Sequence, residues 1–256
     1  MGIKVIKQKV NALKVSQDKN VTIETAAREC RFKVFKALLN KGIVNKIALG
    51  HHLQDQAETI LLNIFRGTGI TGASGMDVIR DGVYIRPLLY TTRAEIMAYV
   101  NTNEIPYVDD ETNTNIEYSR NYIRNMIMPL IRNRWPNADQ SIVAFGDLCK
   151  LDDEYIYSTL NDTGIVYESD GVVKIPISYF SYPIAVTNRI LKKALKSIGV
   201  MADIERKHLK IINGLALEGE NGNRITLPNK LSCYKEYNYL TITNKIYSRA
   251  KDLETC

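Results

Sequence analysis

Around Gly50 the spacing of apolar residues changes from that of a strand to that of a helix. Ile47-Ala48-Leu49 is a short apolar run that reads as the end of a buried strand over 44–49. Beyond it Ala57, Ile60, Leu61, Ile64 and Phe65 share one broad face at about 100° per residue, which predicts an amphipathic helix over 55–66. Asp55, Thr59 and Arg66 fall on the opposite face, with Glu58 at its border. A strand that ends in His51 and His52 and opens a carboxylate-bearing helix is laid out like a site. In open α/β sheets, ligands sit outside the carboxyl ends of strands.

The same reading continues in both directions. It predicts a helix over about 24–40, a glycine-rich loop from Gly67 to Gly75 and a strand at Tyr84-Ile85. It then gives a helix from Thr92 to about Asn103, a short strand at Ile105-Pro106-Tyr107-Val108 and a helix from about Glu117 to Arg134. Strand and helix alternate, which is the order of an α/β domain. From Asn137 the pattern becomes α+β: a long helix from Ser141 to Leu160, then a hairpin turning at Asp170-Gly171 between Ile165-Val166-Tyr167 and Val172-Val173-Lys174-Ile175. Helices over Thr187–Ile198 and Ile204–Leu217 and strands at 224–228 and 239–242 complete it. Trp135-Pro136 reads as the junction between the two regions.

Charge sharpens the division. The 256 residues carry a net +6, with 45% hydrophobic and 24% charged residues, ordinary for a globular protein. Residues 1–136 hold 19 Lys+Arg against 13 Asp+Glu, and residues 137–256 hold 15 of each. The excess positive charge lies wholly in the first region, which suits an anionic partner such as RNA, although a solvated basic surface gives the same count. Cys30, Cys149, Cys233 and Cys256 show no Cys-x-x-Cys spacing, which argues against zinc, iron–sulfur and disulfide frameworks. No apolar run approaches the roughly 20 residues of a membrane helix, and the N-terminus lacks a signal-peptide core, so the expected compartment is the cytoplasm, without membrane contact.

Several chemistries are open to these residues. Gly67-Thr68-Gly69-Ile70-Thr71-Gly72 fits Gly-x-Gly-x-x-Gly, but it follows a helix rather than a strand and reads as a cleft-lining loop. His51, His52, Asp55 and Glu58 include metal-ligand types, yet His-Glu-x-x-His is absent and His208 lies far along the chain. The structural alternative is a helix cap at His51 and an ion pair at Asp55. Arg120 and Arg124 are a like-charge i,i+4 pair, which destabilises a free helix unless an anion lies between them. They are therefore candidates for phosphate contact. Asp109, Asp110 and Asn113 are turn and cap types.

Taken together, the motifs resemble one family. His51-His52-x-x-Asp55-Gln56-x-Glu58-Thr59 followed by Arg66-Gly67-x-Gly69 is similar to tRNA(Ile)-lysidine synthetase. So are Glu24-x-Ala26-Ala27-Arg28-x-x-Arg31-Phe32 (with Phe where that family has Tyr), Arg86-Pro87-Leu88-Leu89, Asp109-Asp110 with Asn113, Arg120-Asn121-x-x-Arg124 and Met128-Pro129. The resemblance covers about residues 22 to 245 and implies an α/β fold. Residues 1–136 would be part of an ATP PP-loop parallel-sheet domain (adenine nucleotide alpha hydrolase-like), and 137–256 a smaller, mainly helical α+β domain that grips tRNA. It implies ATP-dependent ligation of L-lysine to the wobble cytidine of tRNA(Ile) through an adenylated intermediate, with ATP and Mg2+ required. His51, Asp55 and Glu58 would be catalytic, and Arg28, Arg66, Arg86, Asp109, Arg120, Asn121 and Arg124 would bind substrate or tRNA, with no metal held by the protein itself.

Three departures stand out, one being that the sequence stops at Cys256 where the family normally continues into another small domain. The family's Ser-Gly-Gly-x-Asp-Ser loop, which holds ATP phosphates, does not occur in the 256 residues, and Gln54 replaces the usual second Asp. The reading is therefore a fragment of a lysidine synthetase, inactive by itself, with an exposed sheet edge compatible with a homodimer. A tRNA-binding remnant without catalysis and a metal-dependent hydrolase are the alternatives.

Overall fold

The structure, a computed structural model, describes residues 5–108, 118–160, 166–168, 171–200 and 204–244. It divides into two units, Met1–Lys150 and Leu151–Cys256. No described helix is long and apolar enough to cross a membrane.

The first unit begins with helices α1 (Ala12–Lys19) and α2 (Ile23–Asn40). Thr22 caps α2 by accepting the Thr25 N–H at 3.2 Å, which fixes where that helix starts. A small sheet follows, in the order β1-β3-β2, from β1 (Ile47–Ala48), β2 (Ile79–Arg80) and β3 (Tyr84–Ile85). β1 and β3 run parallel, with Ile47 opposite Tyr84, and β2 pairs antiparallel with β3. Because β1 and β3 point the same way, their carboxyl ends deliver His51 and Arg86 to the same side of the sheet.

Between these strands lie α3 (Leu53–Phe65) and α4 (Ile70–Ala73), a single turn inside the segment expected to be loop. Leu53 and Ala57 of α3 pack on Val143 and Ile142 of α8 (Ala138–Ser158), the helix that carries the chain into the second unit. Gly146 permits this approach: a Cβ there would stand 2.6 Å from Ile60 Cδ1 and 3.2 Å from the Ala73 carbonyl oxygen. The expected apolar face of α3 is only partly used. Ile60 is buried, but Ile64 and Phe65 are exposed, the latter at 61%.

α5 (Arg93–Thr102) opens with a capping box, in which Thr92 N–H donates to Glu95 and Glu95 N–H to Thr92 Oγ1. The strand expected at 105–108 does not form: those residues pair with no other strand, and an extended run without a partner is not a sheet. The long helix expected before Arg134 is three pieces, α6 (Ser119–Tyr122), a π turn (Ile123–Ile127) and α7 (Met128–Arg134). Pro129 at the start of α7 has no N–H to donate to the turn before it, and the wider π turn accommodates that loss. Trp135 is 61% exposed rather than packed at a junction.

The second unit is a five-stranded antiparallel sheet, ordered β4-β5-β8-β7-β6, with α9 (Ile184–Ser197) and α10 (Arg206–Glu218). Its strands are β4 (Val166–Glu168), β5 (Val172–Pro176), β6 (Arg224–Thr226), β7 (Ser232–Glu236) and β8 (Tyr239–Thr243). Inward residues Val173, Ile175, Cys233, Leu240 and Ile242 meet Ile190, Leu191 and Leu195 of α9 and Ile212 and Ala216 of α10. The expected hairpin β4–β5 is present, as are the last strands; β7 between them was not anticipated.

Candidate functional site

The start of α3 holds four charged groups in one network. Asp55 Oδ2 accepts the His52 N–H at 3.1 Å, which caps the helix. Its Oδ1 accepts from Arg124 Nη2 at 2.7 Å and from Arg120 Nη2 at 3.3 Å. One turn on, Glu58 accepts from Arg124 Nε and Nη2, both at 2.8 Å, and from Arg120 Nε at 3.4 Å. Glu58 is 1% exposed. Asp55 and Glu58, expected on the polar side of α3 and at its border, are both buried there. They face inward because α6 brings Arg120 and the π turn brings Arg124 against them. Arg124 is held well on the protonated side by Glu58 and, more weakly, by Asp55.

Beside this network lies a cavity of about 260 Å³ whose walls include Arg28, Arg80, Arg86, Arg120 and His51. Asp77 is the carboxylate among the lining residues and is itself paired with Lys150 at 2.7 Å. Arg120 reaches Asp55 and Glu58 behind the cavity, and Arg80 pairs with Asp81 at 3.3 Å. Burial, then the charges of Arg31, Arg120 and Arg80, push the Arg28 pKa down; burial, then Arg80, does the same to Arg86. Aromatic faces offset part of this repulsion: Arg28 and Arg80 both lie over Phe32, at 5.2 and 5.1 Å, and Arg80 also over Tyr84 at 4.7 Å.

His51 accepts from Arg86 Nε through Nδ1 at 3.2 Å, which leaves Nε2 as the site of its own proton. Its pKa is lowered to about 4, first by burial and then by Arg86, Arg120 and Arg28, with Asp55 opposing. The imidazole is thus a neutral donor at pH 7. An imidazole NMR titration should place the His51 midpoint well below 6.5; a midpoint at or above that value would contradict the assignment. The sign for stability follows: between pH 6.5 and about 4 the unfolded chain takes up a proton at His51 that the folded one does not, so this contribution weakens as pH falls.

The rim of the cavity is the loop after α4. Gln56 pins it: its amide donates to the Met76 carbonyl at 3.0 Å and accepts the Met76 N–H at 2.8 Å. Gly75 has φ of +73°, and a Cβ there would meet the Gln56 amide at 2.7 Å, so this position needs glycine on both counts. Asn63 donates to the Gly72 carbonyl at 2.8 Å and Arg86 Nη1 to that of Asp77 at 2.5 Å.

Of the residues expected at the site, His51, Arg28, Arg86 and Arg120 line the cavity, and Asp55, Glu58 and Arg124 form the network behind it. Arg66 does not join them; it ends α3 on the exposed surface. Asn121 lies on α6 next to Arg120. Asp109, with Asp110 and Asn113, falls outside the described residues. Arg80 and Asp77 also line the cavity and were not anticipated; Thr59, read only as part of the motif on the polar face, lines it too, as does Gly75 at the end of the loop expected to line a cleft. Among the described residues, no three His, Cys, Asp or Glu side chains come together as a metal site.

The sequence is similar to known proteins. The tRNA(Ile)-lysidine synthase of Clostridium tetani is 34% identical over 254 residues, which cover 95% of this chain and 53% of that protein. That of Clostridium perfringens is 32% identical over 256 residues, covering 98% and 54%. That of Pseudothermotoga lettingae is 43% identical over 131 residues, covering 51% and 29%. The chain spans about half the length of the first two relatives. A family profile described as the PP-loop domain matches residues 1–131, over half of the sequence, and the chain belongs to that family.

Proposed function

We propose that this chain is part of a tRNA(Ile)-lysidine synthetase, which uses ATP to attach L-lysine to the wobble cytidine of tRNA(Ile). The observation that carries the reading is the arginine-lined cavity at the carboxyl ends of β1 and β3. Clustered guanidinium groups beside a neutral imidazole donor suit a phosphate, which nucleotide, adenylate and RNA all present. In this reading residues 1–136 hold the reacting groups and residues 137–256 grip the tRNA.

The reaction has two steps. The cytidine carbonyl oxygen attacks the α-phosphate of ATP and releases pyrophosphate; the ε-amine of lysine then attacks the activated carbon and releases AMP. Arg28, Arg86 and Arg120 would hold the phosphate, and the His51 Nε2–H would donate to an oxygen on which charge develops. The amine must lose a proton before it attacks. Beside Asp55 it would meet a carboxylate already shared with Arg120 and Arg124. Those neighbouring positive charges disfavour a further ammonium, and so favour the free amine. Mg2+ would arrive with ATP; the described residues offer no acidic cluster to hold it, and no step here depends on one.

The test uses a fusion in which a lysidine synthetase segment bearing Ser-Gly-Gly-x-Asp-Ser precedes the chain. With labelled lysine, ATP, magnesium and a tRNA(Ile) transcript, the fusion should incorporate label. Asp55→Ala should abolish incorporation while leaving tRNA affinity nearly intact. A parent fusion that binds the tRNA but transfers no lysine would remove the proposal.

A further inference from the structure

Arg80 lines the arginine cavity, yet the lysine reaction described above does not use it. Its place is set by the hairpin that carries it. The turn at Asp81-Gly82, with φ of +52° and +66°, closes with the Val83 N–H donating to the Arg80 carbonyl at 3.2 Å. Lys46 holds the same turn by donating to the Gly82 carbonyl. Arg80 is thereby paired across the strands with Tyr84, and cross-strand neighbours are close enough to touch. Its guanidinium lies 4.7 Å from the Tyr84 ring centre and 5.1 Å from that of Phe32, two rings whose centres are 5.3 Å apart. Tyr84 is buried, so one side of this seat belongs to the protein interior.

A ring face attracts a guanidinium but accepts none of its in-plane N–H groups. The Arg80 Nε–H is buried and makes no hydrogen bond; Asp81 Oδ2 stands 3.3 Å away, outside hydrogen-bond geometry. Buried donors without an acceptor are uncommon, and on a cavity wall such a group is one that a ligand can complete. Two other guanidinium groups of the wall are already committed. Arg86 donates to His51 and to the Asp77 carbonyl, and Arg120 to Asp55, Glu58 and Thr59. Arg28 instead shares the Phe32 ring with Arg80, at 5.2 Å. Two cations on one ring repel each other, and an anion held against both removes that repulsion. A carboxylate brings one negative charge, whereas a phosphate monoester brings close to two. At about 260 Å³ the cavity falls below the roughly 300–1,000 Å³ of sites that enclose a whole small ligand. It suits a phosphate group whose nucleoside stays at the mouth.

We propose that Arg80 is a further phosphate-binding residue of the cavity, acting with Arg28 on the monoester phosphate of a mononucleotide, and that Phe32 and Tyr84 are its positioning residues. The inference rests on the lysine reading for the source of that nucleotide. When lysine displaces AMP, the new N–C bond forms, the C–O bond to the cytidine breaks, and its electron pair stays on the phosphate oxygen. A diester of one charge thus becomes a monoester of nearly two, and Arg80 meets the growing charge. Phosphorus NMR titrations of the 256-residue chain test this, with AMP as one probe and uridylyl-uridine, the diester found in RNA, as the other. AMP should bind more tightly than the diester. Arg80→Gln should weaken AMP binding about tenfold, and Arg80→Lys, which keeps the charge without the flat fork, should recover only part of the loss. Phe32→Leu, although it removes no charge, should weaken binding about threefold, and Phe32→Tyr, which keeps a ring face, should retain the parent affinity. Parent affinity in Arg80→Gln or Phe32→Leu, equal binding of AMP and the diester, or no binding of AMP by the parent would each overturn the proposal. Arg80 is partly exposed, so its replacement takes little from the core, and an unchanged urea midpoint excludes misfolding as the cause. Lysine transfer by the fusion without AMP affinity in the chain would strike this inference alone. AMP binding without lysine transfer would strike the reaction and leave Arg80 its phosphate.

Discussion

Arg124→Ala should destabilise the first unit by about 2–4 kcal/mol, measured as a lowered urea midpoint at unchanged slope. Arg124 gives Glu58 two hydrogen bonds at 2.8 Å and Asp55 one at 2.7 Å. Removing it leaves Glu58, almost fully buried, with Arg120 at 3.4 Å as its remaining guanidinium partner. Leaving a buried carboxylate under-paired typically costs 3–5 kcal/mol, and the lower range applies because Arg124 is itself only half-buried. Glu58→Gln should cost less, since a neutral amide needs no counter-charge. Arg28→Ala should leave the midpoint nearly unchanged, because removing Arg28 relieves repulsion from Arg31, Arg120 and Arg80. If Arg124→Ala left stability intact and changed only the salt dependence of RNA binding, Arg124 would be an RNA contact, as its i,i+4 spacing from Arg120 first suggested.

That contrast shows what local sequence can and cannot carry. Periodicity located α2, α3, α5 and the β4–β5 hairpin because each is decided within one turn or one pair of strands. The spacing from Gly50 to Glu58 also put His51 at the end of a strand, where the cavity is found. It could not show which face of α3 would be buried. Asp55 and Glu58 turn inward only because Arg120 and Arg124, more than sixty residues later, arrive to neutralise them. Ile64 and Phe65, on the same apolar face as Ile60 by spacing, are exposed. Arg80 was missed for a related reason. It occupies a two-residue strand that no periodicity can register, and its place is set by the rings of Phe32 and Tyr84. The 105–108 segment has strand-like residues and no partner, which composition alone cannot detect.

The 256 residues by themselves should not transfer lysine. Phosphate loops bind by aiming backbone N–H groups at the anion from the start of a helix, with glycines allowing close approach. No Ser-Gly-Gly-x-Asp-Ser segment occurs in the sequence. α2 starts after Asn20-Val21-Thr22 with no glycine near it, and α4 follows Gly67 and Gly69 but is only four residues long. The arginine cavity offers side-chain charge without that backbone cradle, and about 260 Å³ is small for a whole ATP molecule. Among the described residues, β1 pairs with β3 alone, so its other edge is where further strands of a sheet can add. The chain and the loop-bearing fusion should therefore be compared side by side with labelled lysine, ATP, magnesium and tRNA(Ile) transcript. The expected result is binding of tRNA by both and label incorporation by the fusion only. Incorporation by the chain at the rate of the fusion would mean that the arginine cavity, with its neutral His51 and the network behind it, is sufficient to hold and activate ATP.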